Sequence, residues 1–317
     1  MAKATGLTGN FKGKVGNIVG YQLKNSNNKV TLGVRTYVAE VSNPKTELQA
    51  IQRMKMAPAI NFYRQLQEIL DNAWQGTKYG TKSRQYFMSL AMKQSTGIPF
   101  IVKGDKKFYP GEYPVAVGSI PSAQVITFNS ATFMTSISLS DTAEELGELS
   151  TKLIETNANI KNGDKLTFIT VKKLETGEFM PSYGSINLDI ESDDSMQDVL
   201  PSSITSLTAQ GGRLVCTANI LNGEALVAAA VIISRLDTTG VTPQWQRSNS
   251  KMNCSGTYKT DMMGAEKYAA AIASYMASGN YSSDWYLNIG LTGSTPTTDS
   301  GNGGGGGGGD EPPIINP

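Results

Sequence analysis

The sequence predicts an α+β fold. An N-terminal β-hairpin and a two-helix unit come first, then mainly antiparallel β portions of immunoglobulin-like sandwich type, then a flexible glycine-rich tail. Three observations predict this. Apolar residues alternate on two arms around Asn25–Asn28, helical spacing runs from Leu48 to Gln94, and short β-prone runs broken by turn residues fill the chain from Phe100 to Gly290. The expected boundaries are 1–98 for a hairpin and helical docking domain and 99–203 for a β-sandwich domain. A second β domain with a short helix takes 204–292, and the tail with a terminal anchor takes 293–317.

The opening segment "GLTGNFKGKVGNIVGYQLKN" carries glycines at 6, 9, 13, 16 and 20. A phosphate loop needs its glycines clustered before a helix, with Lys and Ser/Thr following. Here they are interleaved with β-branched residues and another strand follows. Val15, Asn17, Val19, Tyr21 and Leu23 are expected on one face of a strand, and Val30, Leu32, Val34, Thr36 and Val38 on the next. The reading is a hairpin of about 14–24 with 29–38. Gly16 and Gly20 are placed where backbone approaches closely or a bulge forms. An isolated hairpin is marginal and needs a face to pack on, so Gly16, Val19, Gly20 and Tyr21 are expected assembly contacts.

Asn43 is placed to cap a helix with Pro44 at its first position. Leu48, Ile51, Lys55, Ala59, Phe62, Leu66, Ile69 and Ala73 then follow helical spacing. Pro58 lacks an amide proton and clashes one turn back, so a kink or division is expected there. A second helix is expected over Ser83–Gln94, with Phe87, Leu90 and Ala91 inward and Gly97 and Pro99 as its stop. The aromatics Phe62, Tyr63, Trp74, Tyr79, Tyr86 and Phe87 read as core.

Beyond Phe100, "YPVAVGSI", "AQVITFN", "TFMTSISLS", "DKLTFITVKK" and "GEFMPSYGSINLDI" read as strands, with "DTAEELGEL" as an acidic connection or a helical turn. "SITSLTA", "GRLVCTAN", "ALVAAAVIISRL", "PQWQRSN", "KMNCSGTY" and "WYLNIG" continue the series. Gly264–Ser278 reads as a short helix. The tail holds seven consecutive glycines, Gly303–Gly309, whose ordering costs much backbone entropy. It reads as a tether ending in an anchor, with Ile314 and Ile315 as the apolar contacts.

The composition bears on chemistry. Of 317 residues, 17% are charged, below the usual quarter, and the formal net charge is +1. That balance argues against a nucleic-acid binder, although Lys12, Lys14, Lys24, Lys29 and Arg35 make the N-terminus mildly basic. The absence of histidine removes the usual general base and the commonest metal ligand. "DIESDD", Asp189–Asp194, has oxygen ligands but neither the spacing nor the glycine of a calcium loop. Arg235 and Arg247 are candidates for a sulfate or phosphate, with strand-end arginines as the plainer reading. Two thiols, Cys216 and Cys254, do not make a zinc site; they are expected reduced and buried, with a disulfide as the alternative if the chain meets oxidant. No catalytic, cofactor or metal residue is assigned, and the expectation is a protein that is not an enzyme. No signal-peptide h-region and no membrane-length apolar run is seen.

The pattern G-K-x-G-N-x-V-G, carried by Gly13, Lys14, Gly16, Asn17, Val19 and Gly20, and the pattern N-P-x-T-x-x-Q-x-x-x-R, carried by Asn43, Pro44, Thr46, Gln49 and Arg53, resemble an uncharacterised family of Bacteroidota and their phages, crAss-like phages included. "DKLTFI" and "AVIISRL…PQWQRSN" resemble it more loosely. The likeness spans about two thirds of the chain. The second arm of the hairpin departs from the family's basic pattern, and the polyglycine tail is particular to this chain. The resemblance implies no catalysis or cofactor. With similar helix starts in phage structural proteins, it implies a structural protein of a tailed phage virion, at the capsid surface, head fibre, collar or tail. Its partners would be copies of itself and other virion proteins, with assembly in the host bacterial cytoplasm. The alternative is a module that binds a glycan or host surface, using Tyr183, Trp245, Trp285 and Tyr286 to stack on sugar faces.

Overall fold

The computed structural model describes residues 13–15, 17–24, 30–36, 47–76, 81–239 and 244–276, all within one unit of the chain. The fold is mixed, with helices and several antiparallel β-sheets.

The N-terminal part holds three strands: β1 (Gly13–Val15), β2 (Ile18–Lys24) and β3 (Val30–Thr36). β2 pairs with β3 from Ile18↔Thr36 to Lys24↔Val30, close to the hairpin expected. Its first arm is shorter. Val15 pairs with Ile18, so the chain reverses there and β1 returns along the other edge of β2. Val15 and Val19 therefore belong to different strands, and the expected single face from Val15 to Leu23 is interrupted.

Helix α1 (Glu47–Gln65) runs through Pro58 without a break, and the division falls about two turns later, at Leu66. Leu66 has φ −111° and ψ 22°, outside helical values, and α2 (Gln67–Leu70) restarts from it. Leu66 and Leu70 are both fully buried, so the offset serves packing. α3 (Thr81–Lys93) follows, close to the span expected.

The β portion contains β4 (Pro114–Ala116), β5 (Val125–Asn129), β6 (Thr132–Ser138), helix α4 (Leu146–Thr156), β7 (Lys165–Lys173), β8 (Phe179–Asn187), the short α5 (Met196–Val199), β9 (Ile204–Gln210), β10 (Arg213–Ala218), β11 (Ala225–Asp237), β12 (Gln244–Arg247), β13 (Ser250–Lys251) and β14 (Asn253–Cys254). α4 begins within Asp141–Leu149, where a helical turn is one of the two readings, and runs on to Thr156. The strand read at "KMNCSGTY" stops at Cys254, because Ser255 accepts the amide of Tyr258 and caps α6 (Gly256–Met263). α7 (Ala265–Met276) follows. "WYLNIG" lies outside the described residues.

Four strands form one sheet in the order β5-β6-β10-β9. A five-stranded sheet runs β12-β11-β7-β8, with β14 also on β11. Both sheets take strands from either side of residue 203. Leu166, Phe168, Ile186, Leu226, Ala229, Val231 and Ile233 put one face of the five-stranded sheet into a core shared with Phe133, Leu214 and Leu207 of the other sheet and Leu149 and Leu153 of α4. The opposite face, with Ile169, Val171, Val227, Ala228, Ala230 and Ile232, enters a second core with Phe62, Leu66, Trp74, Phe87 and Tyr113. β11 is therefore buried on both faces for nine consecutive residues, which explains its unbroken apolar run.

A bulge reconciles the two faces. The register shifts between Leu226 and Ala228, so Val227 and Ala228 both point to the helical side. Even-numbered residues face the first core before the bulge and odd-numbered ones after it. A third, smaller cluster joins α1 to α7 through Ala50, Met54, Ala271, Ile272 and Tyr275.

Candidate functional site

Of the residues expected to make assembly contacts, Val19 and Gly20 lie on β2, the middle strand of the N-terminal sheet. Gly20 pairs with Gly13 on one side and Val34 on the other, and Tyr21 pairs with Gly33. Gly20 is buried, Val19 half-buried and Ile18 exposed. Gly16, Ile314 and Ile315 lie outside the described residues, as do Asn43, Pro44, Thr46, Trp285, Tyr286 and the polyglycine run. Among the described strands, β1–β3 form a sheet that is not hydrogen-bonded into any other.

The structure separates the two arginines. Ser234 pairs with Arg247, and neighbouring residues on a strand face opposite ways, so Arg235 and Arg247 cannot share an anion. Arg235 grips Asp164 with Nε at 2.7 Å and an Nη at 2.6 Å, and reaches the Asn159 carbonyl at 2.8 Å. The fully buried Asp164 also accepts the Lys161 amide at 2.8 Å. This fork joins the end of β11 to the turn before β7. Arg247 donates to the Asn72 carbonyl at 3.0 Å and lies 4.7 Å from the centre of the Trp245 ring. Burial holds its guanidinium pKa below the ordinary value.

The candidate stacking aromatics divide. Trp245 is 48% exposed, opposite an exposed Leu236. Tyr183 is exposed on β8, and its hydroxyl donates to Glu68 of α2. Phe62, Tyr63, Trp74 and Phe87 are core, as the sequence suggested, whereas Tyr86 is exposed and Tyr79 lies outside the described residues. Phe62 and Phe87 stack at 5.9 Å, and Tyr113 meets both edge-on. Asp189 and Asp194 are used locally, accepting from the Glu191 amide and the Ser192 hydroxyl. Among the described residues no group of three or more acidic or cysteine side chains is placed to hold a metal, and no helix is long and apolar enough to cross a membrane.

Sequence reasoning missed a cluster at Glu112. This carboxylate takes Lys259 at 2.5 Å and Lys251 at 3.2 Å, and Lys259 also donates to Asn253. Burial pushes its pKa up, but the hydrogen bond to Lys259 and the charges of both lysines outweigh that and hold it below the ordinary carboxylate value. Glu112 lies 139 positions before Lys251 and further still before Lys259, so no local spacing announces the cluster. Behind them lie Tyr113 and Cys254. Burial pushes both their pKa values well up, and the Tyr113 hydroxyl has no hydrogen-bond partner among the described residues. Both cysteines are free and buried, Cys216 in the first core and Cys254 in the second.

Hollows among the described residues include a cleft and a groove. A cleft of about 480 Å3 lies where β7 ends and β8 and β11 begin, beside the first turn of α6. A smaller groove of about 250 Å3 lies between α1 and α7, with Met56, Ile60 and Tyr275 as apolar lining and Arg53 and Lys103 as cations. Arg53 is the last residue of the motif at the helix start.

No family model, curated protein or solved structure matches this chain.

Proposed function

We propose that the protein is a structural component of a tailed phage virion, acting through protein–protein contacts with copies of itself and other virion proteins. The observation that carries this reading is the separate N-terminal sheet. Three short strands are hydrogen-bonded to one another and to no other described strand, with a half-buried Val19 next to an exposed Ile18. A sheet this small needs an apolar face to pack on, and a partner subunit supplies one. The sequence motifs around Gly13–Gly20 and Asn43–Arg53 support the same reading. The finer fold belongs with it: the four- and five-stranded sheets, sharing one core, are read as an immunoglobulin-like sandwich that carries the docking sheet.

Val19→Asp tests this. A charge on that face is expected to lower incorporation into particles by about tenfold or more while the melting transition of the isolated protein stays in place. Mass spectrometry and label imaging of purified virions read the outcome. Unchanged incorporation, or no label on virions of the wild-type protein, refutes the proposal.

A further inference from the structure

We propose that the cleft at the ends of β7, β8 and β11 binds a short neutral saccharide. The proposal does not depend on the assembly reading, and the cleft is distinct from the exposed Trp245 and Tyr183.

Its lining is of two kinds. Phe128 of β5, Phe179 of β8, Leu226 of β11 and Met262 of α6 give apolar surface. Phe128 and Phe179 are only half-buried. Phe179 is braced by Tyr258, edge-on at 5.2 Å, and by Tyr109 at 5.5 Å, so its ring is fixed before any ligand arrives. Lys173, the last residue of β7, and Asp261 of α6 give a donor and an acceptor. Neither side chain has an ion-pair or hydrogen-bond partner among the described residues, in contrast to neighbouring Lys172, which is held by Glu224 at 2.8 Å.

This combination selects the ligand. An anion would meet Asp261 and a cation would meet Lys173. A neutral ligand with many hydroxyls accepts from one and donates to the other. The C–H face of a pyranose is apolar and lies on an aromatic ring, so the same ligand uses the phenylalanines. The lining comes from strand ends and the first turns of α6, with one residue from each of the edge strands β5 and β8 besides the turn residue Ser130. Single residues from edge strands do not make a run of strand edge for a peptide to pair with, which disfavours an extended peptide. A volume of about 480 Å3 is in the range of small-ligand sites.

The test uses the full chain. Lactose, maltose, cellobiose and N,N′-diacetylchitobiose are titrated by saturation-transfer NMR and calorimetry, with 3′-sialyllactose as the anionic arm. At least one neutral disaccharide is expected to bind, and Lys173→Met and Asp261→Asn are each expected to weaken it about tenfold, the loss of one hydrogen bond to a charged group. Both residues are exposed and unpaired, so the melting temperatures of the variants should match the parent and any loss reads as binding. The proposal is overturned by no binding of the four neutral sugars at millimolar concentration, by binding that survives both substitutions, or by tighter binding of the sialylated sugar.

Discussion

At the scale of single residues, the polar interior is the most exacting part of the molecule. Asp164 is fully buried and its charge is balanced by one guanidinium. Arg235→Met should destabilise the protein by about 3–5 kcal/mol, because it leaves an unpaired buried carboxylate. Urea unfolding measures this. Tyr113 gives the opposite sign. Its hydroxyl is buried without a described partner, so Tyr113→Phe should raise stability by about 1 kcal/mol. Glu112 carries a pH signature. Its folded pKa lies below the ordinary 4.5, so its contribution is present above that value and is lost as pH falls through the folded pKa. Glu112→Gln should therefore lower stability at pH 7 by about 1 kcal/mol, the half-exposed lysines being screened, and should flatten the acid limb of the stability profile. None of these partnerships was legible in the sequence, because each joins residues far apart in it. The burial of Cys216 and Cys254 was legible from their strand-like surroundings. Neither thiol should react with a thiol reagent until the chain is denatured.

At the scale of elements, the hydrophobic period did most of the work where one face is buried. α3 falls close to its expected span for that reason. It failed where packing overrode it. Pro58 was expected to kink or divide the first helix; the helix is not divided there, and the division comes at Leu66, where two buried leucines set the geometry. The signal for α6 was weaker still, a capping serine with few apolar residues behind it. β11 shows why "ALVAAAVII" is so small-sided. Ala228 and Ala230 face the aromatic core of Phe62, Phe87 and Tyr113, which fills the space a larger residue would need. Ala230→Leu should overpack that face and cost about 1–3 kcal/mol, seen as a lower melting temperature with unchanged secondary structure. Gly184 is a close approach of the same kind on β8, where a Cβ would overlap Pro201.

At the scale of the whole molecule, the order of strands was not legible. Short β-prone runs announce that sheets exist but not which run pairs with which. The pairing of β10 with β6 and of β11 with β7 spans dozens of residues, and only the shared cores specify it. The candidate assembly face was partly legible, since alternation marked the hairpin, but the return of β1 along β2 was hidden by a reversal at a position read as strand interior. The saccharide cleft was not legible at all, because its lining is drawn from four separated stretches.

The two-sided burial of β11 sets a timetable for synthesis. The helices α1 and α3 leave the ribosome long before residues 227–232, the surface on which their aromatics close. At ordinary elongation rates the gap is on the order of ten seconds. Through that interval Phe62 and Phe87 have no completed core to enter. A nascent chain stopped before Ala225 should be held by chaperones or aggregate, and one released after Tyr258 should not.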